Sequence, residues 1–195
     1  MPAEALPTTE SARKRPLLAI TATAMIGLIV VLAAMKRVPW CEHGIAFWTW
    51  QSASACTSQH LGDPYSLTHV EHGFIFYGLL TFVTRWWSPV RRYAASTVLE
   101  TLWEIVENTP WVIDRYREQT AALGYTGDSI LNSCGDLLAC CLGYLLAAKL
   151  PTRWVVALAV VIELGLLLAI RDNLTLNVVM LLYPLAAIQR WQLGS

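Results

Sequence analysis

Glu100, Glu104 and Glu107 are spaced so that, at about 100° per residue, all three fall within a sector of roughly 60° on one helix face. The stretch that carries them, 93–113, is apolar enough to enter a bilayer, where a charged carboxylate costs about 2.5 to 3.5 kcal/mol even on a lenient insertion scale. Such a stripe must face protein or water, be paired, or be protonated. A second apolar stretch repeats the pattern, because Asp128, Asn132, Gly135, Asp136 and Gly143 share one face; His69 and His72 open a third. Imidazoles and carboxylates on facing helices suit a divalent ion such as Zn²⁺, Mn²⁺ or Fe²⁺, with His69, His72, Glu107 and Asp128 as ligand candidates.

Three other chemistries fit the same residues. The carboxylates can pair with Arg115, Arg117 and Arg171 in a hydrogen-bonded core that only fixes helix register. The same arginines can hold the phosphate of a lipid head group, with a His or Glu as acid or base. No nucleophile with its base is identifiable from spacing, and Ser129 and Ser133 fit equally well as small residues that let helices approach. The stripe can also relay protons or cations, in which case Glu100, the deepest of the three, is indispensable. Apart from the stripe, Cys41, His43, Cys56 and His60 have the order of a zinc site, while Cys41 and Cys56 alone suit a disulfide in an oxidising compartment.

The elements that must position these groups read as membrane helices. With 55% hydrophobic and 14% charged residues in a chain of 195, and most of its nine Trp near segment ends, the pattern is an all-α, polytopic transmembrane bundle. Net charge is zero and no Lys/Arg block is interleaved with aromatics, which excludes nucleic acid as a partner and leaves membrane lipid. There is no nucleotide-binding glycine loop, HExxH helix, CxxC pair or GxSxG elbow.

Six spans are predicted, over 17–35, 68–87, 93–113, 129–148, 154–170 and 174–188, the last short and kinked at Pro184. Residues 1–16 read as a disordered cytoplasmic leader, 17–190 as a single transmembrane domain with an external loop at 36–67, and 191–195 as a tail. Thr68 is the predicted cap of the second span. Counting Lys and Arg on alternate sides gives nine inside against five outside when the N-terminus is cytoplasmic, and an even number of spans then puts both termini inside. At 1.5 Å per residue, Glu107 and Glu104 lie roughly 9 and 14 Å inward of the outer end of their span. The predicted chamber in the outer leaflet therefore comprises His69, His72, Glu104, Glu107, Asp128, Asn132, Asp136, Arg171, Asp172, Asn173 and Asn177, with Glu163 at similar depth.

The runs His69-Val-Glu-His-Gly-Phe, Trp103-Glu-Ile-Val-Glu-Asn, Asp114-Arg-Tyr-Arg, Tyr125-Thr-Gly-Asp-Ser-Ile-Leu-Asn-Ser and Ile170-Arg-Asp-Asn-Leu-Thr-Leu-Asn resemble an uncharacterised family, a domain of unknown function in bacterial multi-pass inner-membrane proteins. The resemblance covers about Trp40 to Gln192. It implies an inner-membrane location and carries no activity. A His on one helix, a Glu on the next and then Gly-Asp-x-x-x-Asn is also distantly similar to VanZ-like membrane proteins of glycopeptide resistance, which implies an envelope lipid or a lipid-linked wall precursor as partner.

Overall fold

Among the described residues, three helices are long and apolar enough to cross a bilayer: Arg15–Ala34 within α1 (Thr9–Ala34), α5 (Ile130–Lys149) and α6 (Thr152–Ile170). The computed structural model describes residues 9–51, 54, 56–119 and 124–194, so the first half of the predicted leader lies outside the described residues, and its second half continues α1. Between α1 and α5 stand α2 (Ser66–Val83) and α3 (Pro89–Glu107), 18 and 19 residues long. At 1.5 Å per residue each reaches about 27 Å or more, but their acidic and imidazole side chains lower their hydropathy. Three shorter helices complete the fold: α4 (Pro110–Gln119), α7 (Leu174–Leu182) and α8 (Ala186–Leu193).

Two predicted spans are broken. The third stops at Glu107: Asn108 ends the helix with its N–H on the Glu104 carbonyl, and Pro110, lacking an N–H, begins α4 instead of extending α3. The sixth stops at Leu182, ahead of Pro184, leaving α7 nine residues and about 14 Å long, too short to cross. The chain after it turns back, because Arg171 Nη1, just past α6, donates to the Trp191 carbonyl at 3.3 Å. Residues 172 to 191 thus start and finish at the same end of the bundle, whereas Thr21 of α1 bonds Tyr93 at the far end (2.7 Å). The start of α1 and the end of α8 therefore lie at opposite ends of the bundle. The predicted cap also moves. Asp63 Oδ1 accepts from the N–H groups of Tyr65 and Ser66 at the head of α2, while the Thr68 hydroxyl donates back to the Tyr65 carbonyl.

α2 and α5 form the tightest pair and run in the same direction, since His69 lies beside Asp136 and the Tyr77 ring meets Tyr144 edge to face. Glycine makes the approach feasible: a Cβ on Gly73 would strike the backbone of Cys140 and Tyr144, and one on Gly143 would strike the Val70 carbonyl. Leu28, Leu32, Tyr93, Leu137, Cys141 and Tyr144 then fill the space between α1, α3 and α5. α6 buries only Leu166 and leaves most of its apolar length exposed, with Leu168 at 86%. A patch of that kind on a monomer calls for a hydrocarbon environment or a partner.

The close contact predicts that Gly143→Ala destabilises the protein by about 1 to 3 kcal/mol, the usual cost of overpacking a core. The matching change at Gly165, which has nothing within 4 Å of its Cβ position, should be neutral in the same thermal melts in detergent.

Candidate functional site

The end of the bundle where α2 and α5 begin is organised by the irregular segment between α1 and α2. The first N–H groups of α5 have no acceptor within their own helix. Ser129 Oγ takes the N–H of Asn132, and the segment supplies the rest: Ser129 N donates to the Ser58 carbonyl, Ile130 N to Val38 and Leu131 N to Pro39, all at 2.9 to 3.0 Å. Asn132 Nδ2 donates to the His60 carbonyl at 2.9 Å and Gln59 Nε2 to the Gly127 carbonyl at 2.7 Å. The Arg37 guanidinium adds bonds to the carbonyls of Thr126 and Asp128. Cys41 and Cys56 are joined by a disulfide with their Cα atoms 5.5 Å apart, closing the segment on itself. His60 stands close enough to both sulfurs to complete a three-ligand group, but its Nδ1 accepts the Ala46 N–H.

Within this frame the imidazoles of α2 meet the carboxylates of α3. Glu100 is wholly buried and takes both rings, with Oε1 2.6 Å from His69 Nδ1 and Oε2 3.1 Å from His72 Nδ1. With each Nδ1 toward Glu100, the His69 ring turns its Nε2 to the opposite edge, where Asp136 Oδ2 lies 4.0 Å away. Glu104, also wholly buried, has neither oxygen hydrogen-bonded among the described residues; its Oε1 lies 3.3 Å from His69 Nδ1, which stands closer, at 2.6 Å, to Glu100 Oε1. One ligand atom from each of His69, Glu104 and Asp136 lies within 4.8 Å of the other two. Glu104, Glu107 and Asp128 make a second such group, as do His69, His72 and Glu100.

The sequence-based ligand set His69, His72, Glu107 and Asp128 is therefore divided between adjoining groups instead of forming one. Glu100, expected alone near mid-membrane, is the hub of the imidazole pair. Asp128 has a cradle of its own: Tyr125 donates to Oδ1 at 2.9 Å, Asn108 Nδ2 to Oδ2 at 3.2 Å, and its N–H donates back to Asn108 Oδ1 at 2.9 Å. Burial pushes the Asp128 carboxyl up to about 6, against the Tyr125 hydroxyl, which favours the ionised form. Asp172, outside the helices, is likewise raised to about 6 by burial and receives Tyr65 Oη and Asn177 Nδ2, each at 3.3 Å.

A cavity of about 450 Å³ opens onto this cluster. His69, His72, Glu107, Asp128, Asp136, Asp172 and Asn177 line it; Glu100 and Glu104 lie behind its wall. Asn132 and Asn173 are spent on structure, the first on the His60 carbonyl and the second as the cap of α7, where Oδ1 accepts from Leu176 N at 2.8 Å. The arginines do not enter. Arg115 donates to the Leu181 and Leu182 carbonyls, Arg117 to the Tyr125 carbonyl with Asp114 beside it, and Arg171 to Trp191. Glu163 belongs elsewhere too, with its carboxylate on Thr175 N and against Glu71 of α2. Sequence reasoning passed over Asn108 and Tyr125. Pro110, two residues after Asn108, was the available sign that a helix ends there and frees an amide to turn inward.

The family described as "Protein of unknown function (DUF2585)" matches residues 32–194. The chain belongs to this family. Its relatives include a UPF0314 protein of Rhizobium meliloti (strain 1021), 48% identical over 167 residues, which span 85% of each chain. Another, from Sphingopyxis alaskensis, is 46% identical over 184 residues, 90% of this chain and 95% of that one. A third, from Brucella anthropi, is 43% identical over 180 residues, 87% and 91% of the two chains. No solved structure matches. The matched region contains the clasped segment, the imidazole and carboxylate cluster and α7 alike.

Asn108→Ala removes one donor and one acceptor from the Asp128 cradle and should lower stability by about 1 to 3 kcal/mol, the cost of stranding buried polar groups. Tyr125→Phe should cost about 1 kcal/mol. Because both serve one carboxylate, the double variant should lose less than the sum; melts that add within about 0.5 kcal/mol would show two independent residues.

Proposed function

We propose that the protein is a multi-pass inner-membrane protein that holds a divalent metal ion between His69, Glu104 and Asp136. The observation that carries this reading is the buried Glu104 carboxylate, without a hydrogen bond, beside the His69 ring and Asp136 in a cluster whose cavity no Lys or Arg lines. Five carboxylates, Glu100, Glu104, Glu107, Asp128 and Asp136, gather around two imidazoles. Ionised together they are short of positive charge, and a divalent ion supplies it where a ring nitrogen of His69 and the carboxylates of Glu104 and Asp136 come within 4.8 Å of one another. Glu100 then acts behind the ligands: a carboxylate on the far nitrogen fixes the His69 tautomer and raises its basicity toward the metal. The imidazole and carboxylate donor set favours Zn²⁺, Mn²⁺ or Fe²⁺ over Mg²⁺ or Ca²⁺.

For the membrane, the apolar surfaces of α1 and α6 support five crossings by α1, α2, α3, α5 and α6, with α4, α7 and α8 at the outer face. Returning α8 to that face moves Arg190 outside, and the basic count, nine to five before, becomes eight to six, which still favours a cytoplasmic N-terminus. Reporter fusions after Gly62 and at the C-terminus should read as external, and those after Pro89 and Pro151 as cytoplasmic. A cytoplasmic C-terminal signal would restore a sixth crossing and remove α7 from the chamber.

The ion is tested by elemental analysis of protein purified without chelators. One equivalent of metal is expected in the wild type and in Cys41→Ser, and close to none in His69→Ala or Glu104→Gln. Glu100→Gln should retain the site at about 10- to 100-fold lower affinity. Equal metal content in the wild type and Glu104→Gln sinks the assignment.

A further inference from the structure

We infer that the cavity beside the cluster takes the ammonium head group of a long-chain lipid that enters sideways from the bilayer. This rests on the membrane placement proposed above and shares Asp136 with the proposed metal site. Leu99, Leu102 and Val106 of α3 line the cavity while remaining 39%, 53% and 43% exposed, so its mouth opens along the side of α3 that would face lipid. Across from them Leu174, Val178 and Leu181 repeat at i, i+4 and i+7 and form the other wall from one face of α7. Two apolar walls open to hydrocarbon suit an acyl chain.

The closed end has the opposite character. Asp136, only 3% exposed, lines it with Oδ1 unpartnered, and the Glu107 Oε2 atom there is also buried without a partner. Trp103 also lines the cavity, with its ring perpendicular to that of His72 and the centroids 6.1 Å apart. Among the described residues no Lys or Arg side chain lines the cavity: Arg37, Arg115, Arg117 and Arg171, the arginines of this region, are bonded to backbone carbonyls. An anionic head group would meet carboxylates and no cation, and a plain hydrocarbon would leave Asp136 Oδ1 without a donor. An ammonium supplies charge and N–H donors to the carboxylates, and the Trp103 ring offers a face to the same cation.

The test is native mass spectrometry of the delipidated full chain offered equal amounts of dioleoyl phosphatidylethanolamine and dioleoyl phosphatidylglycerol. The ethanolamine lipid should be retained in about tenfold preference, the scale of a partly desolvated cation contact. Trp103→Leu and the isosteric Glu107→Gln should each abolish the preference; the second keeps the test decisive if the first fails to fold. Free ethanolamine at the same concentration should displace none of the bound lipid. Equal retention of the two lipids, preference for the glycerol lipid, displacement by free ethanolamine, or a preference unchanged in Glu107→Gln overturns the inference. Metal content measured on the same samples separates the two readings: lipid preference without metal overturns the ion alone, and metal without lipid preference overturns the lipid alone.

Discussion

The bond from His69 Nδ1 to Glu100 Oε1, 2.6 Å long and sealed from solvent, joins α2 to α3 at the level where the other acidic groups gather. A carboxylate in so enclosed a place is tolerated only with its partner, because removing that partner strands a buried charge, a loss that typically costs about 3 to 5 kcal/mol. Glu100 holds both imidazoles and thereby sets the angle of His69, which aims its other nitrogen toward Asp136 on α5. That reach across to α5 requires the backbones of α2 and α5 to lie almost in contact, which the missing side chains of Gly73 and Gly143 permit. A polar cluster and a packing device thus depend on each other: without the glycines Asp136 would stand too far away, and without the cluster little would fix the register of α2 on α3.

The segment between α1 and α2 shows how a stretch without regular structure becomes a fixed part of a site. Its carbonyls do for α5 what a preceding helical turn would do, accepting N–H groups that have no partner inside the helix. In return, the first turn of α5 holds Thr57 and Ser58 in the cavity wall. The Cys41 to Cys56 bridge limits the freedom of the chain between these contacts, so the orientation of Asp128 and Asn132 is tied to a covalent link outside the bundle.

Both helix breaks lie where the cavity needs a wall. Pro110 turns the chain after α3 into the amphipathic α4, and Pro184 stops α7 after nine residues. Val112, Ile113 and Tyr116 of α4 pack with Tyr125 and against Leu181 of α7, and Arg115 fastens onto the last carbonyls of α7. Two segments too short to cross a bilayer therefore close off one end of the bundle. The long apolar faces of α1 and α6 stay outside, where hydrocarbon can cover them.

The sequence by itself determined the helical class, the apolar character of α1, α5 and α6, the shared face of Glu100, Glu104 and Glu107, and the gathering of His69, His72, Asp128 and Asp136 near one end. These follow from hydropathy and from the 3.6-residue period, which are local properties of the chain. The partners of each group were decided only by the tertiary structure. Depth counted along ideal spans placed Glu100 below the imidazoles and the arginines beside the carboxylates. Helix crossing brought Glu100 between the two rings, while the breaks at Asn108 and Pro184 turned Arg115 toward α7 and returned Trp191 to Arg171. A linear count assumes that each helix runs straight through and that neighbours in sequence share a level. A proline that removes one N–H, or a glycine that lets two backbones touch, violates that assumption by several ångströms, and the pairing of charges changes with it.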